Sequence, residues 1–143
     1  MKGKILDAWY EETDDELNES YICKETKYGT FTGYARPAEQ DKDIANSWDG
    51  FRFAETKCDI QAYKARAKVM KERANGISHA LRVVLTGNPQ YAADPAIEKL
   101  IKQEAVAWKN YRQAKEQYEI MRDSYSGFCE QIIKQRRKIR NEK

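Results

Sequence analysis

The sequence is poor in the residues that usually carry catalytic or metal-binding chemistry. It contains one histidine, His79, and three cysteines among 143 residues. Cys23, Cys58 and Cys129 are odd in number and far apart, with no CxxC pair, so neither a disulfide framework nor a zinc site is expected. The phosphate-loop, dinucleotide, metalloprotease and hydrolase motifs are also missing. We therefore expect a protein that is not an enzyme and uses no cofactor or metal.

A Cys–His pair is the one nucleophile arrangement that the sequence leaves open. Cys58 and His79 fall on the same predicted helix, about six turns apart, which puts them out of reach of each other. Cys129 would lie near the far end of the predicted hairpin. A surface histidine, or one satisfied by hydrogen bonds, is therefore the favoured interpretation of His79, with a catalytic pair as the alternative.

Long apolar runs are absent as well. No stretch reaches the ~18 apolar residues that a membrane-spanning helix needs. The N-terminus, from Met1 to Asp7, has no apolar core of the kind found in signal peptides. We therefore expect a cytoplasmic protein that does not bind membranes.

Negative charge is unevenly distributed along the chain. Residues 1–50 hold 6 Lys and Arg against 12 Asp and Glu, whereas residues 51–143 hold 20 against 11. The formal net charge of +3 therefore hides an acidic N-terminal part and a basic C-terminal part. Such a balance favours head-to-stalk contacts between subunits, or an anionic ligand on the basic part.

A seven-residue apolar repeat runs from Ile97 to Ile139, with polar misfits at Glu104 and Gln135. This pattern is typical of a long helix that buries one narrow seam against a partner helix. Its first column includes three tyrosines. They are interpreted as core aromatics whose hydroxyls reach solvent, or alternatively as a row that faces a ligand. These are Tyr111, Tyr118 and Tyr125.

A second repeat of the same kind covers Phe51 to Leu85. Gly87-Asn88-Pro89 should end this helix, and Asp94-Pro95 should start the next one with a capping carboxylate and a proline in the first turn. The short connection makes the two helices antiparallel neighbours. Residues 51–143 are therefore predicted to form a long, basic helical hairpin that resembles a coiled coil.

Apolar side chains outside the two seams indicate a further packing surface. Ile101 and Trp108 flank the seam of the second helix, while the first helix carries a second stripe of small residues. A two-helix hairpin buries one stripe per helix, so the surplus must pack on the N-terminal head or on a second copy of the chain. We therefore predict a homo-oligomer. The small-residue stripe consists of Ala54, Cys58, Ala62, Ala65 and Val69.

The N-terminal head is predicted to be a three-stranded antiparallel meander. Its strands are Lys4–Tyr10, Tyr21–Glu25 and Thr30–Arg36, and Lys27-Tyr28-Gly29 supplies the tight turn between the last two. A meander of this size must lay its apolar face on the helices. The predicted fold class is therefore α+β, mainly α: an acidic head and capping loop in residues 1–50, the hairpin in residues 51–143, and one cooperative unit overall.

Basic side chains beside the helical seams are the remaining functional signal. The flanking positions of the second helix include Asn110 and Gln117, so the cations on the first helix are not obviously neutralised. A solvated helix face is one interpretation. Anion or nucleotide binding is the other, with Arg or Lys on phosphates and an aromatic ring on a base. The candidate ligand-binding residues are Lys57, Lys64, Lys71, Arg73, Arg112, Arg122 and Tyr118.

The C-terminal tail is also basic. A cluster of this density can contact nucleic acid, although many helical proteins end in such a tail without any partner. Nucleic-acid or nucleoprotein binding through the basic helices is therefore the alternative function, and a structural helical-hairpin scaffold is a third. The tail residues are Lys134, Arg136, Arg137, Lys138, Arg140 and Lys143.

A series of short motifs runs from Phe31-Thr-Gly-Tyr-Ala-Arg-Pro37 through Asp41-Lys-Asp43 to Gly50-Phe-Arg-Phe-Ala-Glu-Thr-Lys57, about 27 residues in all. This stretch resembles a pattern in small, mostly uncharacterised proteins of bacteriophages and prophages. The resemblance implies a phage gene product that counters host defence in the bacterial cytoplasm. It transfers no catalytic residues.

These features together predict a non-catalytic, self-associating protein that acts by binding. Such phage proteins block a host defence protein or sequester a nucleotide immune signal, as anti-Thoeris sponge proteins do. The expected partners are a second copy of the chain and an anionic ligand, with a nucleotide or a host defence protein as the target. Nucleic acid is the alternative partner.

Overall fold

The computed structural model describes residues 1–11, 19–36 and 47–142. The acidic run after Glu11 and most of the Asp-rich connection before the first helix therefore lie outside the described residues. The predicted fold class is confirmed: a small antiparallel sheet precedes two long helices. The elements are β1 Gly3–Glu11, β2 Glu19–Thr26, β3 Gly29–Ala35, α1 Ser47–Gly87, a short 3-10 helix Pro89–Ala93, and α2 Pro95–Glu142.

The three strands form a meander in the order β1-β2-β3, with β2 in the centre. Register places Thr26 opposite Gly29, so a two-residue turn joins β2 to β3, as predicted. Gly29 has a φ of 136°, which L-residues with a side chain rarely adopt. The Thr26 hydroxyl donates to the Gly29 carbonyl (2.8 Å) and thereby fixes the turn. β1 carries a bulge at Leu6, where its register shifts against β2.

The chain divides into two compact units, and both helices contribute to each. The first, named the sheet unit, comprises Met1–Tyr63 and Glu119–Lys143. The second, named the hairpin unit, comprises Lys64–Tyr118. The division therefore falls within the helices, whereas the sequence-based division falls at residue 50.

The core of the sheet unit lies between the inner face of the sheet and the start of α1. Ala54 and Cys58 are fully buried there against Ile22. Small residues allow this close approach: a Cβ on Gly33 would overlap the carbonyl oxygen of Ala54. The sequence-based expectation that the head covers part of the small-residue stripe is therefore met for these two positions. Phe31, Phe51 and Phe53 pack around this core.

The second helix supplies the other wall of the sheet unit. Phe53 of α1 packs against Phe128 of α2, with ring centroids 4.6 Å apart. Ile132 is buried, whereas Ile139 is 42% exposed, although both belong to the same column of the repeat. Because α1 begins at Ser47 and runs antiparallel to α2, the last turns of α2 have no turn of α1 to face.

The hairpin unit has the alanine-rich seam that the two repeats predict. Arg66 donates to Gln117 across the pair, and the Trp108 indole N–H donates to the Ser78 hydroxyl (2.9 Å). Helix α1 ends at Gly87, as predicted. Asp94 caps α2 by accepting from the Ala96 N–H (2.8 Å). The buried seam residues are Ala67, Ala74, Leu81, Ala107 and Ala114.

Candidate binding groove

The hairpin unit contains a surface groove of about 390 Å³ between its two helices. Such a volume lies within the ~300–1,000 Å³ range of ligand sites. The lining side chains on α2 recur every three or four residues, so they form one helix face, and the α1 side chains are one turn apart. The lining residues are Arg73, Ile77, Lys99, Lys102, Gln103, Val106, Ala107 and Asn110.

The floor and the rim of this groove differ in chemistry. Ile77, Val106 and Ala107 give it an apolar floor, and the side chain of Val106 remains 55% exposed. The rim carries cations whose aliphatic stems extend the apolar surface while their charged ends reach solvent. A ligand that fits both must therefore combine an apolar surface with negative charge.

The three rim cations, Arg73, Lys99 and Lys102, are available to such a ligand. Among the residues that the structure describes, no carboxylate lines the groove. Lys102 lies 4.0 Å from Glu98, but both side chains are exposed and one turn apart, so this pair contributes at most about 0.5 kcal/mol. Within the described parts of the chain, Arg73 and Lys99 make no ion pair or hydrogen bond. The groove therefore carries three largely uncompensated positive charges.

Of the seven residues proposed from the sequence, the structure places Arg73 in this groove. Lys57 and Arg122 belong to the sheet unit. The Lys57 ammonium donates to the main-chain carbonyl of Tyr34 (2.7 Å), and the Arg122 guanidinium lies 3.4 Å from the Asp123 carboxylate. Lys57 therefore has a structural contact that would compete with ligand binding.

The other four candidates lie in the hairpin unit but do not line the groove. Lys64 and Arg112 are exposed on its surface. The Lys71 ammonium lies 6.0 Å from the ring centroid of Tyr111, at the outer limit of a cation–π contact. Tyr118 is half-buried at the seam. Their role as ligand-binding residues stays a prediction.

Sequence reasoning missed Lys99 and Lys102, which supply most of the charge at the groove. A signal was present, because Lys99, Gln103, Val106 and Asn110 recur at spacings of four, three and four residues. Lys99, Lys102 and Val106 are spaced by three and four residues, so they share one face of α2.

A second cavity, of about 230 Å³, lies in the sheet unit beside the end of β3. Two of the three cations among its described lining residues are engaged in the fold: Arg36 pairs with Glu19 (3.0 Å), and Lys57 donates to the main chain of β3. Burial and a hydrogen bond with Cys129 raise the pKa of Tyr125, which lines the cavity, to about 12. This cavity therefore offers less free positive charge than the groove does.

A buried lysine joins the sheet to α1. Lys24 is 4% exposed on the inner face of β2, and its ammonium contacts Asp59 (2.8 Å) and Glu55 (3.2 Å). Burial alone would lower the pKa of Lys24, but the hydrogen bonds and charges of Asp59 and Glu55 outweigh burial and raise that pKa. Lys24 is thus a structural cation held in its charged form.

Cys58, the thiol of the first Cys–His pair considered from the sequence, does not have the environment of an activated nucleophile. The Cys58 thiol is buried and faces the main-chain carbonyls of Ile22 and Phe31 at 3.5 Å. Burial, followed by the charge of Asp59, raises the pKa of this thiol to about 11, opposite to what activates a cysteine. His79 is exposed on α1.

Two further properties of the described residues concern membranes and metal ions. In residues 1–11, 19–36 and 47–142, no helix combines the length and apolar character needed to cross a membrane. The same ranges contain no group of three or more His, Cys, Asp or Glu placed to hold a metal ion.

Comparison with protein-family models, with curated protein sequences and with solved structures finds no match to this chain.

Proposed function

We propose that this chain is a non-catalytic binding protein whose hairpin unit holds an acidic amphipathic helix of a partner protein. The observation that supports the proposal is the groove itself. Its apolar floor lies beside Arg73, Lys99 and Lys102, and its described lining residues include no carboxylate. An amphipathic helix with acidic flanks matches both properties at once.

The dimensions of the groove favour a helix. Its lining on α2 extends from Lys99 to Asn110, about 16 Å at 1.5 Å per residue. Three helical turns of a partner would span this distance and present apolar side chains at i, i+3, i+4 and i+7. A helix packed here would also cover Val106, whose full burial is worth roughly 1.5 kcal/mol.

A nucleotide ligand has less support at this groove. The cations would suit phosphates, but no aromatic side chain is among the lining residues, and a base usually stacks on one. Tyr118, the aromatic residue predicted to contact a base, is not part of the lining. Sequestration of a nucleotide immune signal therefore stays a prediction from the sequence.

Helix capture is compatible with the predicted blocking of a host defence protein, because one captured helix is enough to occupy an interaction surface. The phage context, the counter-defence role and the cytoplasmic location rest on the sequence alone. They remain predictions.

Fluorescence anisotropy with a labelled, helix-forming peptide of Leu and Glu tests the proposal. The peptide carries Leu on one face and Glu on its flanks over four turns. We expect the triple variant Arg73→Glu, Lys99→Glu and Lys102→Glu to bind it at least about 10-fold more weakly, since each lost ion pair contributes up to about 1 kcal/mol and reversal adds repulsion.

A matched control reverses three exposed cations of the hairpin unit that are not candidate ligand-binding residues: Lys68→Glu, Arg82→Glu and Lys115→Glu. It makes the same change in net charge and should keep peptide affinity within about 2-fold, a difference of less than 0.5 kcal/mol. Equal loss in both variants would show nonspecific attraction and contradict the proposal.

Three further outcomes would each replace the proposal. Binding of ADP-ribose by the wild type without peptide binding would support nucleotide sequestration. Binding of duplex DNA, weakened steeply by salt, would support the nucleic-acid alternative. If the protein binds none of these probes, the third candidate function, a structural helical-hairpin scaffold, would be supported.

A further inference from the structure

An aromatic row crosses the sheet at one level. Trp9, Tyr21 and Tyr34 are successive partners in the strand register, one from each strand. Trp9 stacks on Tyr21 with ring centroids 5.2 Å apart, and Tyr21 contacts Tyr34 at 5.0 Å. The three rings therefore form one continuous surface, which we name the aromatic row.

This row lies on the face of the sheet opposite to α1. Ser20 and Ile22, which alternate with Tyr21 along β2, are buried on the inner face. On the other face, Trp9 is 37% exposed and Tyr34 is 49% exposed. Large aromatic rings grouped on an exposed sheet face are uncommon in isolation and indicate an interaction surface.

The face around the row is more acidic than basic. Asp7 lies opposite Cys23 in the register and Glu25 lies opposite Lys4, so both carboxylates share the outer face with Tyr21. Glu19, on the same face, pairs with Arg36 (3.0 Å). Among the strand side chains that the structure describes, together with Arg36, this face has three carboxylates against two cations, within a head whose sequence is acidic overall.

The charge of this face decides what it can bind. Stacked rings alone would suit nucleic-acid bases, but nearby carboxylates repel the phosphates that supply most nucleic-acid affinity. Exposed aromatic faces with neighbouring carboxylates instead attract Arg and Lys through cation–π and ionic contacts. The fitting partner is therefore a cationic segment.

The chain itself carries such a segment at the end of α2. Residues 131–141 contain five Lys and Arg and no Asp or Glu. At 100° per residue, Lys134, Arg137 and Lys138 lie on the helix side opposite to the buried Ile132, and all three are exposed. Lys134 and Lys138 are one turn apart, about 6 Å, which matches the 5.0 Å and 5.2 Å ring spacings.

We propose that the aromatic row binds the cationic end of α2 from a second copy of this chain. Each copy carries one aromatic row and one cationic helix end, so a reciprocal exchange closes a two-fold dimer with two identical contacts. This surface differs from the small-residue stripe and from the groove, and the inference does not depend on the proposed function.

Sedimentation velocity of the full chain at 50 mM NaCl tests this dimer with two variants, in which the charges of one or the other contact surface are reversed. The face variant carries Asp7→Lys and Glu25→Lys, and the tail variant carries Lys134→Glu, Arg137→Glu and Lys138→Glu. Each should be at least 10-fold weaker in self-association, because like charges meet. An equimolar mixture should restore the dimer, since each altered surface then meets its complement.

A third variant, Trp9→Ala with Tyr34→Ala, removes ring contacts without changing charge and should also weaken the dimer. The control Lys68→Glu, Arg82→Glu and Lys115→Glu should leave it intact. The wild-type dimer should dissociate at 500 mM NaCl, which tests the charge dependence even if a variant misfolds.

The proposal fails if the wild type is monomeric, if its association is independent of salt, or if two folded charge variants do not restore the dimer when mixed. A monomeric wild type that binds oligo(dT), with the binding lost in the ring variant, would assign the face to nucleic acid instead.

Discussion

The sheet unit and the hairpin unit use the same two helices but differ in what their polar side chains do. In the sheet unit, side chains of α1 form hydrogen bonds with two main-chain carbonyl groups of β3. Lys57 donates to the Tyr34 carbonyl and Gln61 donates to the Thr32 carbonyl (2.9 Å). Lys24 is buried with its two carboxylates. In the hairpin unit, the cations at the groove have no such structural partners.

This difference separates cations that build the fold from cations that can bind. In the sequence composition, Lys57 and Arg73 are equivalent positive charges. In the structure, Lys57 donates a hydrogen bond to the edge strand β3, whereas Arg73 borders an apolar groove. A sheet edge with satisfied carbonyls is also protected from pairing with another strand. The basic surplus of residues 51–143 is thus only partly available for a ligand.

The largest expected effect comes from filling the close contact in the sheet unit. Gly33→Ala places a Cβ where the Ala54 carbonyl lies, so the sheet must move away from α1 or the strand must distort. We expect a loss of about 3 kcal/mol in the free energy of unfolding, at the upper end of overpacking costs. Urea denaturation followed by circular dichroism measures it.

The same experiment examines whether the two units unfold together. If the chain is one cooperative unit, as the sequence predicts, Gly33→Ala shifts a single transition. If the units unfold separately, one transition moves and the other stays. A loss below about 1 kcal/mol would show that the sheet unit accommodates the methyl group and that its packing is looser than described.

The second effect comes from the buried lysine. Lys24→Met keeps the side-chain volume but leaves Asp59, which is 15% exposed, with the amino terminus of Met1 (3.6 Å) as its one remaining ionic partner among the described residues. Removal of one partner from a buried pair costs about 3–5 kcal/mol. The exposure of Glu55 reduces this, so about 2 kcal/mol is expected. Lys27→Met, in the exposed turn, should stay within about 0.5 kcal/mol.

The pH dependence of this difference has a definite sign. Because the folded pKa of Lys24 is raised, its stabilising contribution is fully present below the unfolded pKa of about 10.4 and is lost as pH rises through the folded value. As the pH rises from neutral, the stability gap between wild type and Lys24→Met should therefore begin to narrow above about pH 10.5. The pKa of the Cys58 thiol differs between the two proteins, because the Lys24 charge lowers it in the wild type, so Cys58 also contributes to the comparison in alkali. A gap that closes near pH 8 would contradict the assignment.

Local sequence patterns were enough to predict the three strands and the two long helices, although not the 3-10 helix between the helices. Turn chemistry at Gly29, the capping carboxylate of Asp94 and the end of α1 at Gly87 all follow from local rules, and the structure confirms them. The end of the α2 seam did not follow, because burial of Ile139 depends on where the partner helix begins. A repeat in one helix carries no information about the length of the other.

The candidate site was harder to predict because it depends on the register between two helices. Arg73 and Lys99 are distant in sequence, and only the antiparallel pairing brings them to one groove. The aromatic row has the same origin: Trp9, Tyr21 and Tyr34 are unremarkable singly, and the β1 bulge sets which residues of β1 share the outer face. Interstrand and interhelix register, rather than composition, determines both surfaces.

The smallest expected effect compares two glycines in the interior of the helices. Gly76 in the hairpin unit and Gly127 in the sheet unit each have open space where a Cβ would point. Either change to Ala should raise the free energy of unfolding by about 0.5–1 kcal/mol, because alanine loses less backbone entropy in a helix.

Thermal unfolding of the two variants shows whether the units unfold together. If they unfold separately, Gly76→Ala should raise the midpoint temperature of the hairpin unit, and Gly127→Ala should raise that of the sheet unit. Loss of stability in either variant would reveal a neighbour packed on that glycine in solution, and a concentration-dependent loss would identify that neighbour as a second copy of the chain.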